Sequence, residues 1–403
     1  MDLAKIRQDF PMLQEKKGRR PITYLDNACQ TLRPQSVLDA VNRYYLELSA
    51  CGGRSVHRLS TEVAKECEAA RAAVARFLNA HKKEEVVFTR NTTEGLNLVA
   101  NCLQWQAGDV VVISGKEHNS NLLPWQLLAK KRGVKIRVVP CCADNTFDLA
   151  AFEKLLDGKV KLVSVGHSAN LDGVSIPAAE VIRLAHRNGS LVMLDAAQSA
   201  PHQRLDVKKL EVDFLAFSGH KILGPSGTGV LFGKYNLLEG LSPFIAGGGT
   251  VSSSTYDGCD FLPPPEKFEG GLPDYAGIMG LGAAVAYLEK IGFDFIQKQD
   301  LLLNSFISEG IREMPRFRLI GPAEAAQRGG IVSLAVQGID PHRIALMLDQ
   351  MADIMVRSGQ HCVHSWFNAH DIPGSLRASV YFYNTLEEAD LFVRSLHKID
   401  KVL

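Results

Sequence analysis

The segment from about residue 85 to 235 constrains the fold most, because short apolar runs alternate in it with amphipathic helical stretches. Many of the runs are apolar on both faces, as in strands buried inside a parallel sheet. Alternation of this length predicts βαβ units, and hence an α/β fold with a mainly parallel sheet. The predicted strands are 86–89, 110–114, 136–140, 162–166, 191–195, 214–218 and 229–232, and the predicted helices are 92–103, 123–132, 149–156 and 178–187.

Beyond this segment the pattern changes. Residues 236–275 are rich in glycine, serine and proline, which predicts a long irregular loop or hairpin. A helical stretch then runs from 276 to past 293 without an evident break. The remainder mixes predicted elements as a smaller α+β domain, with strands at 331–335 and 378–382 and helices at 341–351 and 386–398.

Composition excludes several classes of function. The 403 residues carry 45 basic and 44 acidic side chains, so no basic field exists to capture nucleic acid. No apolar run reaches the ~20 residues that span a bilayer, and the charged start does not resemble a secretory signal. Eight scattered cysteines without a C-x-x-C pair argue against a metal site and for reduced thiols. We therefore expect a cytoplasmic protein that acts on a small molecule.

The sequence Ser218-Gly219-His220-Lys221 directly follows the predicted strand 214–218. Taken alone, Lys221 would be read as a surface lysine. However, Asp195 ends an earlier strand, and strand ends of an open α/β sheet meet at one crevice. Pyridoxal phosphate (PLP) needs a lysine amine for its Schiff base and a carboxylate at its ring nitrogen. The pair therefore predicts a PLP site, in which Gln198 is positioned to bond the phenolic oxygen.

A phosphate site is predicted where residues 90–94, RNTTE, follow a strand and open a helix. Thr92 is a residue type that caps helices, and free N–H groups at a helix start bind phosphate. The alternative is an ordinary capped helix. Ser218 and His220, beside Lys221, are expected to add donors.

Further candidates lie near other predicted strands. His118 is placed to stack on a flat ring or to act as an acid–base, although a lone histidine there is more often a polar loop residue. Asn170 also follows a strand. Arg377 precedes the predicted strand 378–382, and its guanidinium can hold a substrate carboxylate or form a surface ion pair.

Cys362 closes the sequence Arg357-Ser358-Gly359-Gln360-His361-Cys362. A neighbouring histidine and arginine can favour a reactive thiolate. The alternative is a buried cysteine that acts only as a small hydrophobe. The residues alone leave both interpretations open.

Together these motifs resemble the class V aminotransferase family of fold-type I PLP enzymes, and most of all the SufS-type (group II) cysteine desulfurases. The resemblance covers nearly the whole chain, and RSGQHC is the segment that points to desulfurases. Its motifs are YLDNA (24–28), RNTTE (90–94), EHNSNLLPWQ (117–126), LDAAQ (194–198), SGHKILGPSGTGVLF (218–232), GGG (247–249), RSGQHC (357–362) and RASVYFYNT (377–385).

The resemblance implies an architecture. A large PLP-binding domain, 21–283, would contain a mainly parallel seven-stranded sheet. A smaller α+β domain, 284–403, would pack with an N-terminal arm, 1–20. A homodimer is expected, with the 236–275 loop contributing across its interface.

The resemblance also implies roles for single residues. Lys221 would carry the Schiff base and shuttle protons, and Cys362 would be the nucleophile that takes sulfur. The remaining implied cofactor ligands are His118, Asp195, Gln198, Thr93, Ser218 and His220, and Thr92 is a further candidate. The predicted substrate-binding residues are Asn170, Arg357 and Arg377.

The implied reaction converts L-cysteine to L-alanine, with the sulfur held as a persulfide on Cys362. A sulfur-acceptor protein would then take it for iron–sulfur cluster assembly or thiolation. The alternatives are another class V reaction, such as a selenocysteine lyase, a C–S lyase or an epimerase. A non-catalytic PLP-fold protein is disfavoured because Lys221, Asp195 and His118 are all present.

The chain departs from the family pattern at several positions. Leu272 stands where relatives have a threonine that reaches the partner subunit's phosphate, and nearby Tyr275 is a possible substitute. Gly53 and Asn119 each replace a histidine, and Gln360 replaces the first residue of the family's H-H-C. These changes bear on the substrate more than on the cofactor.

Overall fold

A computed structural model describes residues 2–14 and 22–402 of the chain. Its strands are β1 (Thr23–Tyr24), β2 (Val86–Thr89), β3 (Val110–Ser114), β4 (Lys135–Val139), β5 (Val160–Gly166), β6 (Leu191–Asp195), β7 (Phe214–Ser218), β8 (Gly229–Gly233), β9 (Val251–Ser254), β10 (Cys259–Phe261), β11 (Phe317–Ile320), β12 (Ile331–Val336), β13 (Ile354–Met355), β14 (Arg357–Gly359) and β15 (Ser375–Ser379).

Helices alternate with most of these strands. They are α1 (Leu3–Gln8), α2 (Gln35–Arg43), α3 (Arg58–Phe77), α4 (Thr92–Cys102), α5 (Leu123–Arg132), α6 (Leu149–Leu155), α7 (Ala178–Arg187), α8 (Val207–Leu210), α9 (Tyr235–Gly240), α10 (Tyr275–Ile291), α11 (Phe293–Ile311), α12 (Pro341–Ala352), α13 (His364–Ala369) and α14 (Leu386–Val402).

A seven-stranded sheet dominates the described part of the chain, with the strand order β2-β8-β7-β6-β5-β3-β4. Strands β3 to β7 run parallel to their neighbours within this group, while β8 is antiparallel to both β7 and β2. Every residue of β3, β7 and β8 is buried. The predicted mainly parallel sheet is therefore confirmed.

Helices cover both faces of this sheet, which explains why its strands are apolar on both sides. Along β7, Leu215 and Phe217 join one core, together with residues of α3, α7 and α10. Phe214 and Ala216 point the other way, into a core shared with α4 and α5. The strand ends between these two layers are left to carry the polar residues of the site.

A second sheet of four antiparallel strands follows, in the order β11-β12-β15-β14. It packs with α11, α12 and α14 around its own core. The predicted strand 378–382 is wrong in position: β15 spans Ser375–Ser379, so Arg377 lies inside the strand rather than before it. The boundary at residue 284 stays a prediction.

The expected continuous helix after residue 276 is also wrong. It breaks into α10 and α11 at Gly292, whose φ of 76° ends the first helix, and the two axes differ by 76°. Among the described residues no single helix is long and apolar enough to cross a membrane, and only this bent pair meets that test when taken together. The glycine-rich 236–275 segment holds α9 and a β9–β10 hairpin.

The N-terminal region joins the C-terminal one. Residue 1 and residues 15–20 of the predicted arm lie outside the described residues. In the described part, Arg7 pairs with Glu388 at 2.8 Å and donates to the Tyr383 carbonyl. Strand β1 pairs in parallel with β13, far along the chain. Both ends of the chain therefore meet beside the large sheet.

Candidate active site

A cavity of about 250 Å³ opens at the strand ends of the large sheet. Strands β5, β6 and β7 end there, as expected for a ligand crevice in an α/β sheet. Every site residue predicted from the sequence lines this one cavity: Thr92, Thr93, His118, Asn170, Asp195, Gln198, Ser218, His220, Lys221, Arg357, Cys362 and Arg377.

Lys221 and Asp195 form the electrostatic centre of the cavity. Asp195 is only 7% exposed, and its Oδ1 accepts a hydrogen bond from the Ala197 amide at 3.0 Å. Burial raises the pKa of Asp195, and the Lys221 charge opposes that shift. Burial lowers the pKa of Lys221, with Asp195 opposing. A lysine with a lowered pKa keeps more free amine at neutral pH, which a nucleophile requires.

The turn that presents Lys221 depends on close backbone packing. It begins at Gly219, where a Cβ would stand 2.1 Å from Thr228 Oγ1. No side chain fits there without moving the β7–β8 connection, so the glycine fixes where the lysine emerges.

The predicted phosphate site lies at the start of α4, with one correction. The N-cap is Asn91 and not Thr92, because the Asn91 side chain accepts from the Glu94 amide at 3.0 Å. Thr92 instead contacts Ser218: its hydroxyl lies 2.7 Å from Ser218 Oγ, and its amide donates to that oxygen at 2.9 Å. The threonine thereby ties the helix start to the end of β7.

Other hydroxyls and amides surround the same helix start. Thr93 Oγ1 lies 2.7 Å from Ser120 Oγ, next to His118. Helix α4 is 11 residues long, so the positive end of its dipole lies at the cavity, while the Thr92 and Glu94 amides are already bonded to Ser218 and Asn91. His220 completes this side of the cavity, and burial lowers its pKa to about 4, so its imidazole is neutral.

His118 is a neutral imidazole as well. Its Nδ1 accepts a hydrogen bond from the Ser120 amide at 3.0 Å, which places the ring proton on Nε2. Burial lowers the pKa of His118 to about 3, with a further contribution from Lys221. A neutral ring in this place is suited to lie against a flat cofactor.

Arg377 provides a buried cation for a carboxylate. It is 2% exposed, donates to the Asn170 carbonyl at 2.9 Å and contacts Asp26 Oδ1 at 3.3 Å. Its Nε has no hydrogen-bond partner among the described residues. Asn170 in turn donates from Nδ2 to the His361 carbonyl at 2.7 Å. Asn170 therefore links Arg377 to the Cys362 loop.

The Cys362 loop has an unusual backbone. His361 and Cys362 both have left-handed conformations, with φ of 49° and 60°. The loop is fastened by the Asn119 amide, which donates to the Cys362 carbonyl at 2.7 Å. Cys362 itself remains half-exposed at the cavity.

The expected support for a Cys362 thiolate is not what the structure shows. His361 bonds Ser375 Oγ at 2.7 Å, and burial lowers its pKa to about 2, so it carries no charge. Arg357 donates from Nη1 to the sulfur of Cys29 at 3.0 Å. The two neighbours that suggested a thiolate are thus engaged elsewhere.

Cys29 and Glu117 are among the cavity residues for which the sequence predicted no role. Glu117 is buried and accepts from the Gly166 amide at 3.0 Å and from Asn121 at 2.7 Å, and burial raises its pKa to about 7. Cys29 directly follows the motif YLDNA, and Glu117 is the first residue of the motif EHNSNLLPWQ, which was the available signal.

A buried polar network lies behind the cavity. Lys116 pairs with Asp172 at 2.9 Å and donates to the Asn145 carbonyl at 2.6 Å. The Trp366 indole donates to Asn145 Oδ1 at 2.9 Å. Because Trp366 lies in α13, directly after the Cys362 loop, this network links the loop to the end of β3.

The cavity fits PLP on its own chemistry. Besides the amine, the carboxylate and the helix start, it holds buried polar atoms that have no partner among the described residues. Gln198 Oε1 is one of these atoms, while the same amide donates to the Ala28 carbonyl at 2.7 Å. Buried polar atoms normally have partners, so an unmatched set around one cavity indicates a polar ligand.

Comparison with known proteins gives the family. Residues 23–392 match the model of the class-V aminotransferases. The chain belongs to this family. A probable cysteine desulfurase of Synechocystis sp. is 41% identical over 98% of this chain and 94% of its own length. A cysteine desulfurase of Dickeya dadantii is 40% identical over 100% of this chain and 97% of its own.

Solved structures agree with the class-V assignment. The apo cysteine desulfurase of Thermococcus onnurineus NA1 superposes with a TM-score of 0.94 at 39% identity, covering 99% of this chain and 98% of that one. The cysteine desulfurase CsdA of Escherichia coli, in an S-sulfonic acid form, gives 0.92 at 32% identity, covering 100% and 99%. The predicted fold and the PLP cofactor of a class-V enzyme are thereby confirmed.

Proposed function

We propose that the chain is a PLP-dependent cysteine desulfurase of the SufS type, which converts L-cysteine to L-alanine and carries the sulfur on Cys362. The observation that carries this proposal is that Lys221, Asp195 and Cys362 line one cavity. Relatives named as cysteine desulfurases at about 40% identity over the full chain support it.

Different cavity residues would bind different parts of the cofactor. Asp195 would pair with the ring nitrogen, Gln198 with the phenolic oxygen, and His118 would lie against the ring. Thr92, Thr93, Ser218 and His220 surround the phosphate position at the start of α4. When bound, PLP supplies an electron sink that stabilises negative charge at the substrate Cα.

The substrate is held and deprotonated by this chain's own residues. Arg377 and Asn170 orient the carboxylate, and Arg357 also lines the cavity. The Lys221 amine, whose pKa is lowered by burial, takes the Cα proton. Its low basicity lets it return that proton to alanine later in the cycle.

Cys362 performs the sulfur chemistry. Its thiolate attacks the sulfur of the substrate, so that an S–S bond forms at Cys362 as the substrate C–S bond breaks. The electrons of the broken bond remain with the carbon fragment, which takes up protons and leaves as L-alanine. Sulfur then remains as a persulfide on the half-exposed Cys362, where an acceptor protein can reach it.

An assay with L-cysteine and L-selenocysteine tests the proposal, with alanine, sulfide and selenide as the products measured. We expect K221A to lose about 10³-fold or more in alanine formation, and C362S to lose about 10²-fold with L-cysteine while keeping its PLP absorbance. Added sulfur should appear on the peptide that contains Cys362.

Other class V reactions would give different results. A selenocysteine lyase would release selenide and keep little activity with L-cysteine. A C–S lyase or an epimerase would act without a persulfide on Cys362. Full cysteine turnover in the C362S variant would overturn the desulfurase proposal.

Quaternary structure and location belong to the same proposal. A homodimer is supported by Leu272, which is 61% exposed at a groove of mixed lining, with Phe88 and Ile245 beside charged residues such as Arg90 and Glu94. Tyr275 is no substitute for the family threonine, because its hydroxyl donates to the Gly52 carbonyl at 3.1 Å. A cytoplasmic location is supported by the free state of all the described cysteines.

A further inference from the structure

A second thiol lies in the active-site cavity. Cys29 is half-buried, lines the cavity together with Cys362, and accepts a hydrogen bond from Arg357 Nη1 at 3.0 Å. This contact is a charge-assisted hydrogen bond, and it holds the Cys29 sulfur at the wall of the cavity. Cys29 therefore has the cationic contact that the sequence had suggested for Cys362.

The two thiols share one electrostatic environment. Burial lowers the pKa of Lys221, and among the charges that act on this amine are those of both Cys29 and Cys362. Arg377 also lines the cavity, with its Nε unpartnered among the described residues. Arg357 and Arg377 therefore both line the cavity that holds the two sulfur atoms.

The two cysteines differ in how they are held. Cys29 follows a segment bonded to the small sheet, since the Ala28 amide donates to Ser379 Oγ at 2.9 Å, and its own amide donates to the Asp26 carbonyl at 3.1 Å. Cys362 lies on a connecting loop between β14 and α13. Cys29 and Cys362 therefore reach the cavity from different parts of the chain, one beside the small sheet and the other on a loop that is held by Asn119 and Asn170.

We propose that Cys29 is a second sulfur acceptor, which takes the outer sulfur from the Cys362 persulfide inside the same active site. This inference rests on the proposed desulfurase function. The Cys29 thiolate attacks the outer sulfur, an S–S bond forms at Cys29, and the bond between that sulfur and Cys362 breaks. Cys362 leaves as a thiolate, and the proton of the persulfide moves with the transferred sulfur. The exchange has no net oxidation or reduction, so no further reagent is needed.

The transfer has a measurable consequence. Once its sulfur has moved to Cys29, Cys362 is free to react with a second L-cysteine. Without an acceptor protein or reductant, one subunit of the holoenzyme should therefore release about two molecules of alanine in its initial burst. In the C29S variant, which keeps the shape but lacks the thiol, the burst should fall about twofold, to one molecule.

Peptide mapping after alkylation locates the sulfur. We expect peptides containing Cys29 and Cys362 each to carry one added sulfur in the wild-type holoenzyme. The C259S variant, which removes an exposed cysteine of the β9–β10 hairpin, is the matched control and should keep the full burst. PLP absorbance checks that each variant is folded, and C29A serves as the second substitution should C29S lose the cofactor.

The outcomes separate this inference from the function on which it rests. Sulfur on Cys362 with none on Cys29, and the same burst in C29S as in wild type, would overturn the role of Cys29 and leave the desulfurase standing. A wild-type enzyme that forms no persulfide on Cys362 would overturn both. Sulfur on Cys29 in the C362S variant would show direct capture from the substrate and would contradict the transfer.

Discussion

Buried histidines show at the residue scale how position determines charge. His118, His167, His220 and His361 all have a pKa lowered by burial, the largest cause for each. Three of them line the cavity, while His167 lies beside it, with its amide donating to the Asp195 carbonyl at 2.9 Å. These rings are neutral at physiological pH, so they add no positive charge to the site.

We expect His167 to contribute to acid sensitivity. Burial lowers its pKa from 6.5 to about 4, so between these values the unfolded chain binds the proton and the folded chain does not. The contribution of His167 to the free energy of unfolding is fully present above pH 6.5 and is lost as the pH falls toward 4. Between pH 7 and pH 5 the loss is about 2 kcal/mol. H167Q should lack that part of the change, as measured by denaturant unfolding of the holoenzyme.

The control for this prediction is H81Q, which replaces an exposed histidine. It should keep the pH dependence of the wild type. An H167Q protein whose unfolding free energy changes as much as that of the wild type over the same pH range would contradict the neutral buried state of His167.

The sequence predicts which residues line the site better than it predicts which of them contact one another. Every predicted residue lines the cavity, because strand ends of an α/β sheet converge there. The partner of Arg357 was not predictable, since a long side chain with five donors can reach several acceptors. Cys29 was overlooked for the same reason, as nothing local to residue 29 indicates an arginine 328 positions further along the chain.

At the scale of elements, periodicity located the strands but not every boundary. The helical pattern continues through Gly292, yet its φ of 76° ends α10 there. Residues 375–377 join β15 because they pair with β14 and β12, contacts that depend on tertiary structure. Apolar alternation cannot reveal such pairings, whereas the buried strands β3, β7 and β8 were evident from their composition.

We expect the loop that contains Asn145 to position the Cys362 loop. Asn145 bonds Trp366 at 2.9 Å and accepts from Lys116, so it fastens α13 to the large sheet. N145A should lower kcat for L-cysteine about tenfold through misplacement of Cys362, with PLP absorbance unchanged. Steady-state rates and titration of PLP measure the two effects.

The matched control is N188A, at a turn that precedes β6 and so lies at the opposite end of the strands from the cavity, where Asn188 donates to the Asp157 carbonyl at 2.8 Å. Its kcat should remain close to that of the wild type. If N145A loses PLP and activity together, the network supports the cofactor site rather than the position of Cys362.

At the scale of the whole molecule, the exposed Leu272 suggests self-association. We expect the wild type to have a solution mass of twice its 44.1 kDa chain. L272R would replace an apolar side chain of the proposed interface with a longer charged one and should increase the monomer fraction at micromolar concentration. Light scattering coupled to size-exclusion chromatography measures this, with M351R, an exposed position at the end of α12, as the control.

Two results would oppose the dimer. A wild-type protein that scatters as a single chain would remove it altogether. An L272R protein with the mass of the wild-type dimer would place the interface on another surface.

The meeting of the two chain ends also sets an order for biosynthesis. Asp26 and Cys29 leave the ribosome early, but Arg377 and Arg357, which contact them, are made more than three hundred residues later. The large sheet can close once residue 233 has emerged, because domains generally fold as units during translation. During translation, the strands that border the cofactor crevice are therefore made before Arg357 and Arg377. The site can acquire its substrate-binding arginines, and with them its activity, only when synthesis is almost finished.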